Sequence, residues 1–226
     1  MVQEIRALLT ARKLLVAKLR DVESSLRGLL RGFGLRVGAV SKGKFEVRIR
    51  ALVAGQATLE RIAEPLLRAR AALRAEYASL HGGLLKAVRE DEVCRRLMTI
   101  PGVGAVVAMT FKAAVDQPER FARSKAVGAH FGLTPKKYQS GEIDRTGRIS
   151  KVGDAMVRTA LFEAANVMLT RAVRCSGLKA WALRVASRQG MKKAKVALAR
   201  KLAVVMHRMW VDGTTFRWGE ASVSAA

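Results

Sequence analysis

The sequence predicts an all-α, mainly helical fold, and three observations carry that prediction. Half of its 226 residues are apolar but only 5% are aromatic, with Ala and Leu prominent. Only four prolines interrupt the chain. Apolar residues recur at three- and four-residue steps along most of it. The expected architecture is a long antiparallel coiled-coil hairpin over residues 1–82, a helical domain over 83–218 and a disordered tail over 219–226. Charge is as informative as pattern. Lys and Arg number 42 against 18 Asp and Glu, giving +24 and a pI near 11.3. Such an excess repels itself unless a polyanion offsets it, so nucleic acid is the expected partner.

The first helix rests on a heptad. Ile5, Leu8, Leu15, Leu19, Val22, Leu26 and Leu29 recur at alternating steps of three and four, and Arg12 is the one break in the seam. The segment RGFGLRVGAVSKGKF (31–45), with four glycines, ends it. A second apolar series, Leu59, Ile62, Leu66, Ala69, Leu73 and Leu80, defines the return helix, with Pro65 as a kink or the first turn of its stronger half. Such a hairpin serves as a spacer, a dimerisation arm or plain bundle packing. His81-Gly82-Gly83 then punctuates the chain before a short helix over 84–98.

TIPGVGAVVAMTFKAAV (99–115) follows. Pro101, Gly102 and Gly104 make a tight turn ahead of an apolar helix, leaving backbone N–H groups uncovered where the helix dipole also favours an anion. Over 97–115 this resembles the hairpin of helix-hairpin-helix modules, which hold a DNA phosphate through backbone amides; Gly102 and Gly104 are the candidate contacts. A helix near Ser124–Phe131 stops at Gly132 and Pro135. KKYQSGEIDRTGRISKVGD (136–154) reads as a loop, or as a short hairpin turning at Asp144–Gly147. Asp154 is the expected N-cap of an amphipathic helix. After a break at Cys175–Gly177 come a short helix and a long final one, whose first turn carries Lys192 and Lys193. Lysines there oppose the helix dipole, which points to a phosphate backbone as their partner.

The candidate chemistry is narrow. The acidic residues Asp91, Glu92, Asp116, Glu119, Glu142, Asp144, Asp154 and Glu163 form no convincing metal-binding triad, and His81, His130 and His207 have no ligand spacing. No Walker loop or hydrolase elbow is present. Cys94 and Cys175 read as small buried hydrophobes in a reducing compartment. A serine that attacks a phosphodiester needs an exposed hydroxyl beside a glycine, with cations for the phosphate. Ser140-Gly141 has that setting: Lys136 and Lys137 precede it, and Arg145, Arg148 and Lys151 follow. On these residues alone, catalysis at Ser140 stands beside a phosphate-binding or merely solvated loop. Ser150 has a ready explanation as a cap.

The run IPGVGAVVAMTFKAAV, then RFARSKAVGAHFGLTPKKYQSGEIDRTGRISKVGDAMVRTALFEAA, resembles the C-terminal transposase domain of the IS-one-ten insertion-sequence family. The shared pattern spans about residues 97–170: the glycine turn, F-x-S-x-K-x-x-A-x-x-G-L-x-P, Y-x-S-G, G-R-I-S-K-x-G and L-x-E-A-A. The resemblance implies a recombinase that cuts and rejoins DNA, with Ser140 as nucleophile and Arg145, Arg148 and Lys151 on nearby backbone. Complete members pair this domain with a RuvC-like domain whose four acidic residues (a DEDD set) bind Mg²⁺. They are guided by a structured bridge RNA and act as oligomers that share active sites. This chain begins where that domain would end, so it is expected to hold no cofactor itself and to be inactive alone. Glu142 departs from the second glycine that many members carry.

The expected partners are therefore DNA, a structured guide RNA and further copies of the chain as a dimer or tetramer. The expected place is the bacterial cytoplasm, at the nucleoid. No apolar run approaches the roughly 18 residues that span a bilayer, and basic residues interrupt every candidate signal region. A membrane-surface protein is the weakest reading. The principal alternative is a non-catalytic helical protein that dimerises and binds nucleic acid.

Overall fold

A computed structural model describes residues 2–140 and 142–219. Gly141, the glycine of the Ser-Gly pair, and residues 220–226 of the expected tail lie outside the described residues. The mainly helical class holds: the described residues form nine α-helices, one 3₁₀ turn and one two-stranded hairpin. They divide into two compact units, Ala7–Gly83 and the remainder.

In the first unit, helix α1 (Val2–Gly32) continues as far as the heptad predicts. Arg12 donates to Tyr77 Oη at 3.0 Å and to His81 Nδ1 at 3.3 Å, while Glu23 meets Arg70 at 2.8 Å. Early residues of α1 thus meet late residues of α3 (Ala57–Glu90), so the two helices run antiparallel. Arg12, the break in the apolar seam, is a polar layer with its own partners. The connector is not a plain loop, because helix α2 (Phe45–Val53) sits within it. Phe45, Ile49 and Val53, four residues apart on one face, join Leu26, Leu30, Val37, Leu59, Ala63 and Leu67 in one core. Two seam assignments shift as a result. Leu30 is buried where Leu29 was expected, and Ala63 and Leu67 are buried while Ile62 and Ala69 face outward. Arg70, fully buried, donates to Glu23, to Glu46 at 2.7 Å and to the Lys42 carbonyl at 2.9 Å, with its guanidinium over the Phe45 ring.

The predicted break at His81-Gly82-Gly83 does not occur, and α3 runs through it to Glu90. Two helical glycines cost about 1 kcal/mol each, less than the packing of Leu84 and Val88, both buried, returns. Pro65 likewise lies inside α3.

In the second unit, Asp91 caps helix α4 (Glu92–Leu97) by accepting from Cys94 N, and its carboxylate pairs with Lys112. Helix α5 (Ala105–Val115) follows the glycine turn. A 3₁₀ turn (Pro118–Arg120) leads to α6 (Lys125–His130), and then come strands β1 (Pro135–Ser140) and β2 (Ile143–Ile149). Helices α7 (Ala155–Thr170), α8 (Gly177–Gln189) and α9 (Met191–Val211) complete it. Helix α9 is the hub, packing against α4, α6, α7 and α8. Its buried Ala194, Ala199 and Ala203 let neighbouring backbones approach closely, and Leu198, Leu202 and Met206 fill the core between them. His207, 1% exposed, lies near Ser124 Oγ at 3.0 Å and the Pro118 carbonyl at 2.9 Å. Cys94 is buried as expected, but Cys175 is exposed, because the α7–α8 connection offers it no core.

Candidate nucleic-acid interface

The stretch read as a loop or a short hairpin is a β-hairpin. Its strands pair antiparallel, Pro135 opposite Ile149 at the base and Ser140 opposite Ile143 at the tip. Glu142 lies in a turn between the strands, so Asp144–Gly147, the expected turn, lies within β2. Side chains alternate across a strand, which places Lys136, Tyr138 and Ser140 on one face with Arg145, the partner of Tyr138. Lys137 and Gln139 take the other. All six β1 residues are exposed. Ser140 stands five residues from Pro135, roughly 17 Å along the strand.

Two loops lock the base of this hairpin. Gly132, at φ +66°, lies so close to Val152 that an added Cβ would sit 2.3 Å from the Val152 carbonyl oxygen. Gly153, at φ +78°, meets the His130 carbonyl at 2.2 Å in the same sense. Lys151 N donates to the Gly132 carbonyl at 3.1 Å and Ser150 N to that of Thr134 at 2.9 Å. Arg158 of α7 then clamps both loops, donating to the carbonyls of Phe131, Val152 and Gly153 at 3.3, 2.8 and 2.9 Å. Asp154 caps α7 by accepting from Met156 N and Val157 N, and pairs with Arg6 at 2.9 Å. The capping expected of Asp154 is thus present; Ser150 caps nothing and spends its amide on the lock.

Beside the locked base lies a groove of about 1150 Å³, formed with α6, α8 and α9. Seven of its eighteen lining residues are Lys or Arg, and none is Asp or Glu. Along α9 the lining repeats every four residues: Lys192-Lys193, Val196-Ala197, Arg200-Lys201, Val204-Val205. Cation pairs and apolar pairs therefore alternate on one helical face. Lys125, Arg148 and Lys151 face them across the groove. Gly128 makes room for the Arg200 stem, 3.0 Å from where a Cβ would be. Trp181 forms part of the wall with the Lys201 ammonium over its ring at 3.8 Å. Burial, and then the nearby Arg184, pull the Lys201 ammonium below the ordinary lysine value.

The sequence-derived candidates thus fall into three places. Arg148, Lys151, Lys192 and Lys193 converge on the groove. Lys136, Lys137, Ser140 and Arg145 lie on the hairpin outside its lining. Gly102 and Gly104 lie in the turn before α5. There Gly102, at φ +87°, packs on α7 so tightly that a Cβ would be 2.4 Å from the Ala164 carbonyl, whereas a Cβ at Gly104 meets nothing within 4 Å. Gly102 is explained by helix packing; Gly104, the N-cap of α5, remains open to a ligand. Reading the sequence missed Lys125, Trp181, Arg200 and Lys201. The four-residue alternation in MKKAKVALARKLAVV was the signal that could have found those on α9. Among the described residues, no group of three His, Cys, Asp or Glu side chains could hold a metal ion.

A sequence profile of the Transposase IS116/IS110/IS902 family matches residues 94–178, which include the end of α4, all of α5, the hairpin, its lock and α7. The chain is 31% identical over 224 residues to the transposase for insertion sequence element IS1111A of Coxiella burnetii, across 96% of this chain and 61% of that protein. It is 33% identical over 128 residues to the transposase for insertion sequence element IS1328 of Yersinia enterocolitica, across 56% of this chain and 38% of that one. Among the described residues, no helix is long and apolar enough to cross a membrane.

Proposed function

This chain belongs to the IS116/IS110/IS902 family of insertion-sequence transposases, and from that membership we propose that it is the DNA-holding, serine-bearing part of a recombinase. The observation that carries the reading is one exposed serine at the tip of a hairpin whose base is locked beside a cationic groove without carboxylates. The groove and the Gly104 turn hold phosphates, and the hairpin presents Ser140 to the strand. Ser140 Oγ attacks a phosphodiester: an Oγ–P bond forms, a P–O bond to the departing strand breaks, and the serine proton passes to solvent while the departing oxygen gains one. Arg145, beside Tyr138 on the Ser140 face, offsets charge that develops on the phosphate. Lys136 and Lys137 hold backbone nearby.

The chain spans 61% of the length of the Coxiella relative, and the described residues make no metal site of their own. On this reading the acidic half of the reaction centre is supplied by other residues, and the chain by itself binds DNA without cleaving it. A guide RNA and further copies of the chain complete the assembly, with the half-buried Leu8, Leu15 and Leu19 of α1 as the self-association seam.

The test mixes this chain with a full-length relative whose own serine is replaced, so that cleavage depends on Ser140. Ser140→Ala should abolish covalent protein–DNA product by at least about 10³-fold and leave DNA affinity intact. Normal cleavage by Ser140→Ala would sink the nucleophile assignment and leave a non-catalytic binding and dimerisation protein. That second reading draws on the roughly 17 Å along β1 between Ser140 and the base of the hairpin.

A further inference from the structure

We infer that the groove is a site for unpaired DNA, in which a base turned out of its stack lies on the Trp181 ring while the strand's phosphates are held by the α9 cation pairs. The inference rests on the DNA-binding reading above and adds the state of the strand. A duplex offers a basic surface only phosphates and sugars at its rim, and would make no use of an apolar interior. This groove has one. Val196 and Ala197 are only half-buried between two cation pairs, and Val204 and Val205 are half-buried just beyond the second. Apolar surface left exposed among positive charges suits a partner that is itself apolar and anionic by turns, and an unstacked nucleotide strand is such a partner.

Size and spacing agree. At about 1150 Å³ the groove is near the scale of ligand pockets and far below what a double helix occupies. The pairs Lys192-Lys193 and Arg200-Lys201 are eight residues apart, roughly 12 Å along the helix, with an apolar pair midway. Phosphates at the two cation pairs would thus bracket a base at the apolar one. Lys201 supplies the exchange: its ammonium lies on the Trp181 ring at 3.8 Å, and its long stem lets it move to a phosphate while a base takes its place. DNA over RNA follows from the DNA-binding reading above, since Gln189 and the cations of the lining could also bond a ribose 2′-hydroxyl.

The probes are a short thymidine oligonucleotide, a duplex of equal length and a uridine oligoribonucleotide, each titrated against the whole chain. Trp181→Ala should weaken thymidine-strand binding roughly 5- to 150-fold and leave duplex binding unchanged, while Trp181→Phe keeps most of the strand affinity. On the unmutated chain, an iodouracil-substituted strand should photocrosslink to the peptide that carries Trp181, a readout that needs no variant to fold. Equal losses on duplex and single strand, no loss on either, tighter binding of the ribo-oligonucleotide, or crosslinks only elsewhere would each overturn the proposal. The double change Lys192→Glu, Lys193→Glu separates it from its premise. If the unmutated chain binds neither duplex nor strand, the DNA-binding reading itself fails; if the double variant binds both as before, the groove is not where DNA is held and the proposal falls with it; if the double variant loses both while Trp181→Ala loses neither, only the unpaired-base proposal fails.

Discussion

Glycines that look alike in the sequence do opposite things in the fold. Gly153 holds φ +78° with a carbonyl 2.2 Å from where a Cβ would be, so alanine there meets both left-handed strain and a backbone clash. Gly153→Ala should cost about 2 kcal/mol or more in urea unfolding. Gly104 has an extended backbone and open space around it, so Gly104→Ala should change stability by no more than about 0.5 kcal/mol. If the amides after Gly104 receive a phosphate, the same variant weakens DNA binding without unfolding, as anisotropy would show. Sequence distinguishes the two poorly. I-P-G-V-G advertises a turn, but that Gly102 abuts Ala164 is a long-range fact, invisible to local pattern. Ser140 was legible from its neighbours' charge and its motif. Trp181 was not, because one aromatic in an amphipathic helix reads as core.

At the scale of elements, long-period helices were readable, while the hairpin was legible only as an alternative to a loop and with its turn misplaced. PKKYQS carries no alternation of β-branched and polar residues, so its strand state follows from its pairing with β2 and from the loops that lock the hairpin base. The α1–α3 pair was readable as a heptad, but its polar layer was not. Arg12 donates to His81 Nδ1, which accepts only while the imidazole is neutral, and burial with Arg12 lowers the His81 pKa below 6.5. A histidine whose folded-state value is depressed binds more protons when unfolded. Its contribution is therefore complete above the unfolded value near 6.5 and is lost as pH falls below it towards the folded value. Urea midpoints of the wild-type chain should fall as pH drops below 6.5, and His81→Gln should flatten that slope.

For the molecule as a whole, the charge of +24 makes affinity a function of salt. Log affinity for duplex should fall linearly with log salt, and Lys192→Ala with Lys193→Ala should reduce the slope by roughly 2. A slope unchanged by the pair would remove those lysines from the phosphate contacts. Composition points to this partner class, since charge sums without regard to fold. It could not announce where the charge gathers, which depends on α9 turning Lys192, Lys193, Arg200 and Lys201 toward Arg148 and Lys151.

The locked base also makes the hairpin a measuring rod. Gly132, Gly153 and Arg158 fix where the strands emerge, so the distance from that anchor to the serine is set by residue count rather than by residue identity. Lengthening each strand by two residues would carry the hydroxyl outward by roughly 7 Å on the same face, whereas one residue on each would turn it to the opposite face. A change in strand length can therefore alter the reach of that hydroxyl in quantised steps, without disturbing the helices that carry the hairpin.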